Sequence, residues 1–213
     1  MKLKFKYDRA KDVWCLVNKG KSSNNSPNPT KQYEQLVAVV GENASEESVV
    51  GFIDQYLAGN NIDIDGYVAK YQADWEAVAA EYKKIAEEIF KVSLPSDISA
   101  YLTINSRCPY SIQDNYFYVS VPTQASNLTV MHELWHFYTW DGLGAAQEEK
   151  IGQKKYNDLK EALTVLLNIE CADLLPEGVQ DKGYPQHQDL RAQITEFWGQ
   201  EKDIRKLWGI INL

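Results

Sequence analysis

The chain has few of the residues on which several kinds of site depend. It contains three cysteines, which are far apart and include no CxxC pair. This number and spacing argue against a disulfide framework and against a four-cysteine zinc site. Histidine is equally scarce, with three in 213 residues, and two of these lie four residues apart. Any metal site built on histidine therefore has very few possible ligands.

Long apolar runs and basic clusters are also absent. No stretch approaches the roughly 20 apolar residues that a membrane-spanning helix needs, so we expect no membrane association. The net charge is -8 and no dense Lys/Arg run is present, so we expect no direct binding to nucleic acid. The N-terminal residues lack the apolar core of a signal peptide, and we therefore expect a cytoplasmic protein.

Hydrophobic residues make up 44% of the chain and aromatic residues 12%, which is enough for a substantial core. Alternating charged and apolar residues predict a strand over 2–7, with 12–18 as its hairpin partner. Residues 98–105 and 115–122 are rich in β-branched and aromatic side chains, which favour strands. The predicted helices cover 32–58 in two pieces, 65–91 as one long helix, 126–140, 159–175 and 189–207.

One short motif in the predicted helix 126–140 is typical of a metal site. Residues 132–136 have the sequence HELWH, in which positions i and i+4 lie on one helix face. His132 and His136 can therefore bind one ion, and Glu133 lies near enough to act on a water molecule beside it. The HExxH motif thus supplies two zinc ligands and a general base from five residues. The same pattern also occurs in helices without a metal, where the histidines are surface or core residues.

A catalytic zinc site needs a third protein ligand, and the sequence offers a carboxylate for it. No third histidine follows at the short spacing of the metzincin pattern. Glu161 lies 25 residues after His136, near the start of the predicted helix 159–175, and is the predicted ligand. Glu148 and Glu149 are the alternatives. Glu161 can also be explained as an acid favoured by the dipole at a helix N-terminus.

The order of these elements, with HELWH and Glu161, resembles the gluzincin clan of zinc metallopeptidases over residues 65–175. The resemblance implies an α+β, zincin-like fold. Its parts are a backing helix, a small, twisted and mostly antiparallel sheet, the HExxH helix and a helical C-terminal sub-domain. We accordingly divide the chain into an N-terminal region of strand and helix packing on the core (1–64), a sub-domain that carries HExxH (65–143), and a helical sub-domain that carries the glutamate (144–213).

The resemblance also implies an activity. We expect one zinc ion per chain and the hydrolysis of a peptide or protein substrate. An oxyanion donor is expected after the glutamate helix, where His187 and Tyr184 are the candidates, and His187 can equally be a loop histidine without a role. An extended substrate is expected to pair along the sheet edge formed by the strand before the HExxH helix. The residues expected to form this edge are Tyr116, Tyr118 and Ser120.

The chain departs from the clan at one position. Many members place an aspartate four residues after the glutamate to orient a ligand histidine, and Val165 stands there instead. Thr164 and Asn168 share a predicted helix face with Glu161 at i+3 and i+7, so we expect them to take the orienting role. Two other interpretations stay open: a zincin-fold binding or regulatory module without activity, and a helical protein in which HELWH is a coincidence. The presence of Glu133 favours the peptidase, because inactive relatives often lose it.

Overall fold

The computed structural model describes residues 2–22 and 27–211, apart from the side chain of Ala145. Its backbone divides into two compact units. The sheet unit consists of the described residues of Lys2–Trp75 together with Ser96–Ser126. The helical unit consists of Glu76–Pro95 together with the described residues from Asn127 onward. The chain thus enters each unit twice, and the three-part division expected from the sequence stays a prediction.

The sheet unit contains a small mixed sheet. Its strands are β1 (Lys2–Lys6), β2 (Asp97–Thr103), β3 (Tyr110–Ser111) and β4 (Tyr116–Ser120). They lie in the order β1-β2-β4-β3; β2 pairs in parallel with both β1 and β4, and β3 pairs antiparallel with β4. The fold is therefore α+β, as expected, but the expectation of a mostly antiparallel sheet is wrong. Parallel neighbours need long crossover connections, and the connection from β1 to β2 runs through several helices.

The expected hairpin partner of β1 is a helix. Residues 12–18 lie within α1 (Arg9–Lys19), whose N-terminus is capped by Asp8 accepting a hydrogen bond from the backbone N–H of Lys11. Asp12, Val13, Cys15 and Leu16 are buried, a spacing that follows the helical period rather than strand alternation. An apolar run this short does not distinguish a strand from a buried helix segment, which is why the prediction failed.

Three further helices belong to the sheet unit, and the first two correspond to the two pieces expected over 32–58. They are α2 (Lys31–Val40), α3 (Glu46–Gly59) and α4 (Ile64–Glu76). The prediction of a single helix over 65–91 is wrong, because α4 ends at Glu76 and a new helix begins at Ala79.

A side chain of α4 bonds to the sheet. Gln72 accepts a hydrogen bond from the N–H of Phe5 at 3.0 Å and donates one to the carbonyl of Leu3 at 3.3 Å. This side chain thereby bonds to the outer edge of β1.

The helical unit is built from short helices and tighter turns. Its α-helices are α5 (Ala79–Phe90), α6 (Ser126–Thr139), α7 (Ala145–Ile151), α8 (Gln153–Ala162), α9 (Leu167–Glu170), α10 (Gln188–Gln200) and α11 (Ile204–Ile210). The helix expected over 159–175 is broken into the end of α8, 3-10 turns and α9, and the one expected over 189–207 is broken between α10 and α11. Among the described residues, no helix combines the length and apolar character needed to cross a membrane.

The HExxH helix α6 is fixed in the core by aromatic side chains. Tyr82 on α5 donates its hydroxyl to the carbonyl of Met131 at 2.9 Å. Phe90 packs edge-on against Trp135, with ring centroids 5.0 Å apart, and stacks on Tyr138 at 5.9 Å. All five of these side chains are buried. Close packing of one face of α6 restricts the rotation of the helix, and so fixes the direction of the side chains on its other face.

Candidate metal site in the helical unit

Three side chains of the helical unit converge on one point. His132 and His136 lie one turn apart on α6, and Glu161 lies in the last turn of α8. The Nε2 atoms of the two histidines are 3.0 Å apart. The Glu161 carboxylate oxygens lie 3.6 Å from Nε2 of His132 and 3.5 Å from Nε2 of His136. Among the described residues, this is the one group of three or more His, Cys, Asp or Glu side chains close enough to hold an ion.

The separations between these atoms suit a small metal ion. A tetrahedral zinc ion with bonds of about 2.1 Å places neighbouring ligand atoms about 3.3–3.4 Å apart. The two histidine nitrogens are 3.0 Å apart, Oε1 of Glu161 is 3.5 Å from Nε2 of His136, and Oε2 is 3.6 Å from Nε2 of His132, so each separation is close to that value. Oε2 of Glu161 is buried and has no hydrogen-bond partner among the described residues, so it is available as a ligand. His132, His136 and Glu161 could therefore hold a metal ion.

The electrostatics of the cluster also favour a cation. Burial lowers the pKa of His132, but the carboxylates of Asp181 and Glu161 outweigh it and raise that pKa to about 10. The pKa of His136 is held well below its usual range by burial and by the nearby Lys160 ammonium. His132 is therefore protonated, and its Nε2 lies 3.0 Å from Nε2 of the uncharged His136. A metal ion would replace that proton as the positive charge between the two rings.

Glu161 reaches the cluster from a different place than expected. It lies at the C-terminal end of α8 and not in the first turn of a helix, so the explanation by a helix N-terminus does not apply. Burial raises the pKa of Glu161, but the His132 imidazolium and the Lys160 ammonium outweigh it and hold this pKa well below its usual range. The rival carboxylates are on α7, outside the cluster. They are Glu148 and Glu149.

Asp181 orients His132, and the sequence analysis missed it. Its Oδ2 lies 2.6 Å from Nδ1 of His132, so that nitrogen donates and Nε2 faces the cluster. Asn168 holds the backbone of Asp181 at both ends, accepting from its N–H at 2.7 Å and donating to its carbonyl at 2.8 Å. Thr164 lies 2.9 Å from Oδ1 of Asp181. The structure thus joins Thr164 and Asn168 to the aspartate that orients His132.

Arg191 completes the support around Asp181. Its Nη1 donates to Oδ1 of Asp181 at 3.0 Å and to the hydroxyl of Thr164 at 2.9 Å, and its Nη2 donates to the carbonyl of Asp181 at 2.6 Å. Although burial raises the pKa of Asp181, its contacts with His132, Thr164 and Arg191 hold that pKa below its ordinary value. Gly183 has φ +58°, and a Cβ there would lie 2.6 Å from Arg191. The one sequence signal was this Asp-x-Gly in a loop, which is too common to identify a site.

Glu133 is a buried carboxyl group within electrostatic reach of His132 and Glu161. The residue is 6% exposed, and its buried Oε2 has no hydrogen-bond partner among the described residues. Burial raises the pKa of Glu133 to about 8, although the His132 imidazolium acts in the opposite direction. A buried carboxyl group that lacks a partner is costly, and such groups are concentrated at functional sites.

The two candidate oxyanion donors lie in different surroundings. His187 is buried and its Nε2 lies 3.1 Å from Oδ1 of Asp158. Tyr184 is half exposed and packs edge-on against His187, with ring centroids 5.7 Å apart. Partial burial and the carboxylates of Glu161 and Glu133 raise the pKa of Tyr184. Tyr184 therefore lies within electrostatic reach of the cluster.

The predicted substrate strand is β4 of the sheet unit. Over Tyr116 and Phe117 it is flanked by β2 on one side and β3 on the other, and the N–H of Tyr118 donates to the carbonyl of Pro109 at 3.0 Å. The prediction of a free edge is therefore wrong over Tyr116 and Tyr118. The short strand β3, which carries no alternation that the sequence could reveal, covers this part of β4. Ser120 lies at the end of β4, beyond the paired residues of β3.

Comparison with known proteins identifies no relative: no family model, no curated protein and no solved structure matches the chain. The resemblance to gluzincins thus stays a hypothesis that rests on HELWH and Glu161.

Proposed function

We propose that this chain is a zinc-dependent metallopeptidase of zincin-like fold that hydrolyses peptide bonds in a peptide or protein substrate. His132, His136 and Glu161 would hold one zinc ion, and Glu133 would act as the general base. The observation that carries the proposal is the position of Glu133. Its buried Oε2, which has no hydrogen-bond partner in the described part of the chain, is on the same helix as two histidines that converge on a possible metal position.

The donor set and its support both favour zinc. Two imidazoles and one carboxylate are the ligands of catalytic zinc in several hydrolases, and they leave a fourth position open. A ligand histidine that donates its other N–H to a carboxylate is a common feature of such sites, and His132 with Asp181 has this arrangement. The same donors also suit Fe(II) in oxygenases. A partnerless carboxylate beside the site favours hydrolysis, because hydrolysis requires a general base.

When bound, the zinc ion supplies Lewis acidity that polarises the scissile carbonyl group and lowers the pKa of water. Glu133 accepts a proton from the attacking water and passes it to the leaving amine. Asp181 keeps His132 in the tautomer that presents Nε2, and Arg191 keeps Asp181 charged. Tyr184 is the better placed of the two candidate donors to the developing oxyanion, because His187 is engaged with Asp158.

Peptide hydrolysis by the zinc-loaded chain tests this function. The substrate would be a proteome-derived peptide library read by mass spectrometry, with native protein, Glu133→Gln and the control Glu149→Gln compared at equal zinc content. Glu149 is exposed on α7, so its replacement leaves the site intact. We expect Glu133→Gln to keep its zinc and to lose about 10²–10⁴-fold in turnover, the usual contribution of a general base. Removal of zinc with a chelator should stop cleavage, and added zinc should restore it.

Two outcomes would count against the enzyme. If Glu133→Gln cleaved as fast as the native chain, Glu133 would not be the base. If the native chain bound zinc but cleaved no peptide, the alternative would gain support, namely a zincin-fold module that binds or regulates without proteolysis.

A further inference from the structure

A buried lysine contacts the carboxylate of the candidate metal ligand. Lys160 is 5% exposed, although lysine is among the residue types least often buried. Its Nζ lies 3.0 Å from Oε1 of Glu161, the next residue along α8. No motif pointed to Lys160, because a lysine before a glutamate on a helix is usually a surface pair. Burial of the ammonium group costs free energy, which its ion pair with Glu161 offsets.

The two oxygens of Glu161 lie in different environments. Oε1 is 3.0 Å from the Lys160 ammonium and 3.5 Å from Nε2 of His136. Oε2 lies 3.6 Å from Nε2 of His132 and, among the described residues, has no hydrogen-bond partner. A carboxylate with one oxygen engaged by a cation has the other oxygen left for a metal. An unrestrained carboxylate can instead bind through both oxygens.

The two buried cations near the cluster, Lys160 and Arg191, pair with different carboxylates. Asp181 is neutralised by Arg191 at 3.0 Å, so it does not need Lys160. Glu161 has Lys160 as its nearest cation, and Glu133 also lies within the electrostatic reach of Lys160. Glu161 and Asp181 therefore each have a buried cationic side chain as a partner. Arg191 acts behind the orienting aspartate, and Lys160 acts behind the ligand itself.

We propose that Lys160 is a positioning residue, which holds Oε1 of Glu161 so that Oε2 alone binds the metal. This inference rests on the proposed metal site and specifies how many oxygens of Glu161 bind the ion. By fixing Glu161 as a ligand through one oxygen, Lys160 keeps the fourth position of a tetrahedral ion open for substrate and water. A two-oxygen carboxylate would fill that position.

The test compares Lys160→Met, Lys160→Gln and Lys160→Arg with the native chain and with Lys154→Met, an exposed lysine on the same helix. Each protein is loaded with Zn²⁺, and its affinity is measured by competition with a chromophoric chelator. Each is also loaded with Co²⁺, whose visible absorption weakens as the coordination number rises. Circular dichroism shows which variants are folded. Lys160→Gln keeps an N–H donor for Oε1 without the charge, so the test does not depend on Lys160→Met alone.

We expect Lys160→Met to bind zinc about 10–100-fold more weakly, the usual effect of removing a group that orients a ligand, and to show weaker Co²⁺ absorption. Lys160→Arg should retain the native affinity and spectrum, and Lys160→Gln should lie between. Equal affinity and an unchanged spectrum in Lys160→Met would overturn the inference, as would tighter binding, which would make Lys160 a competitor of the metal. If the native chain bound no metal, the proposed function itself would fail.

Discussion

Two buried aspartates, one in each unit, differ in the kind of partner that holds them. Asp12 in the sheet unit is 0% exposed, and its hydrogen-bond donors among the described residues are all uncharged. These are the hydroxyl of Thr103 at 2.6 Å, the N–H of Ile104 at 3.1 Å and the hydroxyl of Tyr7 at 3.3 Å. Burial raises the pKa of Asp12 from 3.8 to about 6, against the effect of these hydrogen bonds. Asp12 ties α1 to the end of β2.

Asp181 in the helical unit is 7% exposed and is held by two cationic side chains. His132 and Arg191 contact one carboxylate oxygen each, at 2.6 and 3.0 Å. Their charges outweigh burial, so the pKa of Asp181 lies below its ordinary value. Two buried carboxyl groups thus differ in the direction of their pKa shift because of their partners. The partners of Asp181 link it to the candidate metal site, whereas the partners of Asp12 link α1 to β2.

The largest difference is expected when each aspartate loses its charge. Asp181→Asn leaves Arg191 buried without a counter-charge, which should cost about 3–5 kcal/mol of unfolding free energy. It also removes the carboxylate behind His132, so zinc affinity should fall about 10–100-fold. Asp12→Asn keeps an acceptor oxygen for Thr103 and Ile104 and removes the buried charge, so it should not destabilise the protein at pH 7 and should raise its stability by up to about 3 kcal/mol. Denaturant unfolding of the metal-free proteins and chelator competition measure the two effects.

Equal costs for the two substitutions would remove the distinction between these aspartates. Zinc binding by Asp181→Asn at native affinity would show that Asp181 supports the fold and not the metal.

A pH effect confined to Asp12 is the next largest. Its folded pKa is raised, so the protonated form stabilises the sheet unit below about pH 4, and this stabilisation is lost as pH rises through about 6. The shift from 3.8 to about 6 corresponds to about 3 kcal/mol. Hydrogen exchange at the amides of α1 and β2, measured at pH 4 and pH 7 and corrected for intrinsic rates, should show this loss. In Asp12→Asn the difference should disappear, and its persistence would mean that another group titrates.

A smaller effect is expected from one hydroxyl group beside Asp181. Thr164→Val removes a group that lies 2.9 Å from both Asp181 Oδ1 and Arg191 Nη1. The expected cost is about 2 kcal/mol, typical of a hydrogen bond to a charged group. Thr139→Val is the matched control, because the partner of that buried hydroxyl within the described residues is the uncharged carbonyl of Trp135, and it should cost about 1 kcal/mol or less. Similar melting temperatures for the two variants would argue against a charged network around Asp181.

The sequence predicts the local part of this site and misses the distant part. His132, Glu133 and His136 lie within one turn of a helix, so periodicity places them together. Glu161 joins them as predicted, although it lies at the end of α8 and not at the start of a helix. Asp181 meets His132 across 49 positions in the chain from a loop, and loops have no period to reveal them.

The same contrast holds in the sheet. The strand β1 is predicted from the alternation of charged and apolar residues, and β2 and β4 from side-chain composition, but their pairing is not predicted. Parallel pairing joins Lys2 to Asp97, and the choice of neighbour depends on how the intervening helices pack. The prediction of a strand over 12–18 fails for a related reason. Packing of α1 against the rest of the unit decides the conformation of these residues, and a seven-residue segment does not reveal that packing.

Metal content tests the central claim most directly. Native protein, His136→Ala, Glu161→Gln and the control Glu149→Gln would be prepared in parallel with added zinc, dialysed and examined by elemental analysis. We predict one zinc ion per chain in the native protein and the control, and much less in the two ligand variants. A native chain that takes up no metal, or ligand variants that retain as much as the native chain, would contradict a site formed by His132, His136 and Glu161.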